Sequence, residues 1–589
     1  MPQSNSGRPS RRQIVRGAAL LPVAVGIGGV GLSACGTGPG PNSGGGGGGN
    51  GGTLFIAGHQ WGTPTHFNPL GPSPGWPSAS AHQYIYESLL RFNLLDGKLE
   101  PGLGKEWEQV DEATVRVELQ DGVAWQDGEP LTVDDVVFTF ELGKRNPQIQ
   151  TATVWEYLEA VEPDGEKAVV FRLNPDQINY PQIRESLSGT MILPKHIWEP
   201  EEKKESPIEE FANTEPVGSG PYQLDSYNAQ QVRVTRYDDY WGKKFYGGLP
   251  APQTIVHPIF KDNQGSNVAF EQDEVNVSQN FVPQLWRMWE DKDLPVATWM
   301  KKRPYHIPGG IPMLVINNHK KGLDNPRVRV ALAHAINYDR CARLAMSQYS
   351  DEVQSSLIVP GGSEDKFFDA DNVRQHGWSY NPDRCKEILE DELKAEKGQD
   401  GVYVLPDGTR LGPFVLQTPS GWSDYQQAVR LVVEDAKKAG FGIDSKFPEA
   451  PTVTNNVEGG DFDLALWGLP FTSAGTPWLR FRDVLDHRGV PEIGERAFRN
   501  YGRFEHEDVP ALIDQAAAAE DDETQKQAYA QLDRIYMENA PMIGLMYRPA
   551  EFFEFNETTW KGFPTEDDPY APPAFQGAGN EWLWKIELA

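Results

Sequence analysis

Few residues of this chain are arranged for bond-breaking chemistry. The sequence holds no G-x-S-x-G, no phosphate-binding glycine loop and no H-E-x-x-H. Its Cys and His residues show no metal-ligand spacing. A carboxylate pair for glycoside hydrolysis has no short motif and is not excluded by pattern alone, since the chain has 84 acidic residues. The segment that stands out is Leu464–Trp478, LALWGLPFTSAGTPW. It begins as an apolar run with the pattern of a buried strand and breaks into a Gly, Pro, Ser and Thr loop. Trp467 and Trp478 bound that loop, Thr472 and Ser473 give it hydroxyls, and nothing between the two tryptophans is charged. Flat aromatic faces beside neutral hydroxyls are binding chemistry. Similar sets recur in Ser420–Tyr425, SGWSDY, with Trp422, and in Phe67–Leu70, FNPL, with Asn68, followed by Gly75-Trp76. Trp286 is a further candidate contact. The competing reading of every Trp is core packing.

The elements that must position these residues are legible from periodicity. Thr53–Gly58, Ala113–Leu119, Lys167–Leu173, Gln231–Tyr237, Met313–Asn317, Phe414–Gln417 and Asp463–Gly468 read as strands. Tyr84–Phe92, Thr132–Phe140, Pro326–Arg340, Tyr425–Gly440 and Thr524–Asn539 read as helices, with Thr132 as a cap, Asp135 at the third helical position and Gly440 as a stop. SGWSDY therefore falls between a strand end and a helix start, the usual ligand position in α/β folds. Strands and helices of both kinds mix throughout, which makes the fold class α/β with mixed sheets.

At 589 residues the chain is too long for one ordinary core. Its formal net charge is −30, which repels phosphate backbones and argues against nucleic acid as a partner. The N-terminus reads as an address. Arg11-Arg12 precedes an apolar, Gly-rich stretch that ends in Leu32-Ser-Ala-Cys35. This resembles a twin-arginine signal ending in a lipobox, with lipid on Cys35; an uncleaved anchor helix is the alternative. A glycine-rich tether then runs to Gly52, including six consecutive glycines at 44–49. Cys341 and Cys385 read as buried thiols, with one bridge between them as the alternative.

Five blocks then carry a family likeness: YESLLRF (86–92), VRVELQDGVAWQDGEPLTVDDVVFTF (115–140), GSGPYQL (218–224), YDDYWG (237–242) and DNPRVRVALAHAINYDR (324–340). In order and spacing they resemble the family 5 extracellular solute-binding proteins of oligopeptide, dipeptide and nickel ABC importers. The resemblance implies a monomeric, type II, cluster C-like periplasmic-binding-protein fold without enzymatic activity or cofactor. Two lobes joined by a two-stranded hinge would close on a ligand and deliver it to an ABC permease. Implied limits are 1–34 for the signal and 35–52 for the tether. The first lobe would take 53–85, 216–311 and 536–589, with an inserted subdomain at 86–215, and the second lobe 312–535. The hinge is expected near Met313–Asn317 and Tyr536–Leu545. Trp125 and Asp134 are expected as scaffold, and Arg480 as a surface partner of Asp483.

Peptide-binding members of that family carry an acid just after the Trp-Gly strand, which pairs with the peptide ammonium; this sequence has none from Trp467 to Trp478. SGWSDY and Trp560–Pro573 resemble the cello-oligosaccharide-binding branch instead. The expectation is thus an oligosaccharide held by Trp422, Trp478 and Trp467, with a peptide as the alternative.

Overall fold

The computed structural model describes residues 52–58, 62–71 and 83–589. The signal, the tether up to residue 51, Cys35 and Trp76 lie outside these residues. The fold is built on three main sheets. The first is mixed and seven-stranded: Val296–Thr298, Glu554–Asn556, Val277–Ser278, Thr53–Ala57, Thr254–Pro258, Gln231–Arg236 and Tyr222–Tyr227, in spatial order. Thr53–Ala57 runs parallel to both of its neighbours. The second sheet is five-stranded: Ile443–Lys446, Phe414–Gln417, Leu464–Trp467, Met313–Ile316 and Met542–Gly544. The first three strands are parallel and the last two antiparallel to their neighbours. The third is a four-stranded antiparallel sheet of Gly104–Asp111, Thr114–Leu119, Ala168–Leu173 and Leu158–Asp164. It has its own apolar core around Val117, Trp125, Phe140 and Phe171. Trp125 is fully buried there, as scaffold.

The two larger sheets belong to the two lobes of a periplasmic-binding-protein fold, and the chain crosses between them twice. Pro308–Gly310 and Arg548–Pro549 pair antiparallel at the crossing. This crossing pair lies beside the segments expected for the hinge. Met313–Ile316 and Met542–Gly544 are interior strands of the five-stranded sheet, and helix Asp522–Asn539 runs unbroken past residue 536. Continuous apolar strands such as MLVI are buried on both faces, so they are lobe, not linker.

Local signals mostly decide the elements. Thr132 and Asp135 form a reciprocal capping box at helix Val133–Arg145. Gly440 ends helix Ser423–Ala439 at φ 96, a left-handed backbone that glycine takes without a Cβ clash. Tyr84–Phe92 is not a helix. Leu90–Phe92 pairs with Leu99–Pro101, and Asn93, Asp96 and Gly97 make the turn between them. The hairpin chemistry of Asp-Gly overrides the apolar spacing there. Cys341 and Cys385 are both free and buried.

Candidate functional site

Strands Phe414–Gln417 and Leu464–Trp467 run parallel, so their C-terminal ends open on one edge of the second lobe. Trp467 ends one strand. The other leads through a short loop to Trp422, which precedes helix Ser423–Ala439. The two indoles meet with centroids 5.7 Å apart and planes 25° from parallel. Tyr425, one helical turn on, meets Trp422 edge-on at 5.3 Å. Trp422 remains 39% exposed, so part of the residue is open to solvent. Gly421 and Ser423, on either side of it, line a groove of about 700 Å³, whose lining includes neither the Trp422 ring nor Trp467, Asp424 or Arg548. The opposite wall is helix Asn263–Glu271 and the segment 282–292 of the first lobe. That volume is within the range of small-ligand sites, which runs to roughly 1,000 Å³.

A charge-balanced pair stands beside the stack. Asp424 is buried in the first turn of the helix, and its Oδ2 lies 3.6 Å from Nε of Arg548, on the hinge. The Arg548 guanidinium also sits 4.5 Å from the Phe552 ring and 5.7 Å from the Phe471 ring. Neither Asp424 Oδ2 nor Arg548 Nε has a hydrogen-bond partner. Buried polar atoms of that kind are costly unless water or a ligand satisfies them.

The loop after Trp467 is held from several sides. Phe471 packs on Gly310, where an added Cβ would fall 2.4 Å from the ring, so the hinge needs glycine at that point. Thr472 N–H donates to Gly309 O at 2.6 Å, and its hydroxyl lies 3.2 Å from both Gly309 O and Glu364 Oε1. Ser473 N–H donates to Thr476 Oγ1 at 2.8 Å, and that hydroxyl donates back to Ser473 O at 3.0 Å. Thr472 therefore uses its hydroxyl to fasten the loop to the hinge. Arg480, expected on the surface beside Asp483, is fully buried and grips Glu364 at 2.8 and 3.1 Å. Arg482 is the partner of Asp483, at 2.8 Å.

The other expected contacts divide. Trp478 is not a loop platform. It starts helix Trp478–Leu485, is 1% exposed, donates its indole N–H to Ile513 O at 3.0 Å and meets Tyr157 edge-on at 6.2 Å. Trp286 faces inward, stacked on Tyr305 at 5.7 Å. Asn68 is buried and spends its amide on Ile208 O, Phe211 O and Leu70 N–H, at 2.9, 3.0 and 2.7 Å. These three are packing and loop-pinning residues. The structure thus brings Trp422 and Trp467 together, with Thr472 close behind the hinge. Asp424 was within view in SGWSDY, but no pattern marked it as inward-facing. Arg548 had no sequence signal at all, because its role comes from the crossing strand.

Comparison with known proteins fits this geometry. Residues 98–479 match the family model described as bacterial extracellular solute-binding proteins, family 5 Middle. A structure of a Thermotoga maritima protein, described as a mannohexaose-bound oligopeptide ABC transporter periplasmic oligopeptide-binding protein, is similar at 30% identity and TM-score 0.83, covering 92% of this chain and 99% of that one. AppA of Bacillus subtilis, solved with a nonapeptide, shares the fold at 20% identity and TM-score 0.70, covering 91% and 99%. Among curated relatives, the probable peptide-binding protein YejA of Agrobacterium fabrum is 26% identical over 86% of each chain. The dipeptide-binding protein of Escherichia coli is 24% identical over 88% of this chain and 93% of its own. With a family match over well over half its length and two lobes around a groove, this chain belongs to the family 5 bacterial extracellular solute-binding proteins, the ligand-capturing subunits of ABC importers.

Proposed function

We propose that this protein captures a neutral oligosaccharide between its lobes and delivers it to its importer, held at the outer face of the cytoplasmic membrane by lipid on Cys35. The observation that carries the reading is the partly exposed Trp422, stacked on Trp467, beside the paired Asp424 and Arg548. Pyranose rings lay their C–H faces on indole, while hydroxyls both donate and accept. A hydroxyl can therefore satisfy Asp424 Oδ2 and Arg548 Nε together, whereas an ammonium group offers nothing to the arginine. The mannohexaose complex of the Thermotoga relative, at 30% identity, supports the same reading. A peptide is the second reading. It is favoured by the relatives named for peptides, and by Asp424 as a buried acid near the stack. Isothermal calorimetry with mannohexaose, cellopentaose and a tripeptide separates the two. The sugar reading predicts saturable oligosaccharide binding, with the sugar recovered intact. Tripeptide binding that is abolished by acetylating its amino end would replace it.

A further inference from the structure

We propose that Glu185, on the four-stranded unit, is a positioning residue that clasps the second lobe by its hold on Gly475 and so sets how readily the two halves separate. Glu185 lies on helix Tyr180–Gly189, and its Oε2 accepts the Gly475 N–H at 2.9 Å across a sequence separation of 290 residues. Gly475 belongs to the loop that begins at Trp467, so the clasp acts on the segment that follows the aromatic stack. The seam is reinforced on either side. Arg482 Nη1 donates to Gln182 Oε1 at 3.4 Å, and Tyr157 meets Trp478. An added Cβ at Gly475 would fall 3.2 Å from Glu185 Cβ, so the loop approaches the helix closely.

The clasp has a protonation sense. Burial pushes the Glu185 carboxyl above its ordinary range, and the Ser473 hydroxyl, Gly475 N–H and Arg482 pull it back. The titratable groups that face it are few. Arg482 comes from helix Trp478–Leu485 and is paired with Asp483. Tyr157 and Glu156 act on Arg482 from the four-stranded unit. On its own helix, Arg184 donates to Gly97 O at 2.7 Å. Ser473 and Gly475, which cover the carboxyl, come from the other half of the molecule, so separation rehydrates it. The closed seam therefore binds a proton more tightly than the open one. Closure from this group is fully present below the ordinary carboxylate range and weakens as pH rises through the raised value.

The test needs no ligand. Hydrogen exchange of segment 473–478 is measured on the whole protein at pH 5 and pH 8 and corrected for intrinsic rates, alongside small-angle scattering. Glu185→Ala should exchange this segment on the order of tenfold faster at pH 5, the scale of one lost hydrogen bond, and enlarge the radius of gyration. Glu185→Gln, neutral at every pH and still an acceptor, should stay protected and lose the pH dependence seen in wild type. Strand Met313–Ile316 serves as the internal fold control, and the Gln variant decides if the Ala variant is loosened throughout. Exchange in Glu185→Ala indistinguishable from wild type would overturn the proposal. So would Glu185→Gln exchanging as fast as Glu185→Ala.

Discussion

Replacing Trp422 with alanine separates binding from folding. The residue is 39% exposed, and its ring makes one stacked and one edge-on aromatic pair. Such pairs contribute about 0.5–1.5 kcal/mol each, so the fold should lose on the order of 1–3 kcal/mol and survive. The binding loss is read separately. A rigid aromatic platform at the centre of a site typically contributes about 2 kcal/mol, or roughly thirtyfold in Kd. Calorimetry with mannohexaose reads the affinity, and urea unfolding reads the stability. Trp478→Ala is the contrast. With its ring buried and its N–H bonded to Ile513, it should cost about 3–5 kcal/mol of stability. Wild-type sugar affinity in Trp422→Ala would refute the platform argument. So would loss of sugar affinity in a Trp478→Ala protein of unchanged stability.

Three further outcomes follow from the same contacts. Glu364→Ala leaves Arg480 buried without its partner, so urea unfolding should show a loss of about 3–5 kcal/mol; a change within error would mean the pair is dispensable. Burial holds the Asp533 and Glu87 carboxyls up to about 7 in the folded protein, above their ordinary values of 3.8 and 4.5. Because the folded values are raised, the stability linked to these groups is present below those ordinary values and lost as pH climbs through about 7. Asp533→Asn and Glu87→Gln should each flatten the fall in stability over that window by on the order of a few kcal/mol, and an unchanged slope in both would contradict it. Cys35→Ala should release the protein from the membrane or block its processing, whereas normal processing and retention would exclude the lipoprotein reading.

Most of the scaffold was legible because its signals are local. Thr132 with Asp135, Gly440, and the apolar runs at 313–316, 414–417 and 464–467 each declare a cap, a stop or a buried strand without help from distant residues. Tyr84–Phe92 was misleading for the same reason. Its apolar spacing is helical, and only pairing with Leu99–Pro101 reveals the hairpin. The site was half legible. Trp422, from a loop, and Trp467, from a strand end, are distant in sequence and are brought to one edge by the parallel strands. Trp478 looked like their equal, but the helix it starts turns it into the core against Ile513 and Tyr157. Arg480 and Arg482 are two residues apart with exchanged roles, one buried on Glu364 and the other on Asp483. Periodicity cannot assign those partners, because Glu364 comes from a segment 116 residues away while Asp483 is the chain neighbour of Arg482. Arg548 and Glu185 owe their positions to the hinge crossing and to the seam, which have no one-dimensional signature.

The most direct test of the central claim is calorimetric titration of the wild-type protein with mannohexaose, followed by the tripeptide in a separate cell. The account predicts saturable binding of the oligosaccharide at one site per chain and no heat from the peptide. Saturable binding of the tripeptide with no response to mannohexaose or cellopentaose would contradict it.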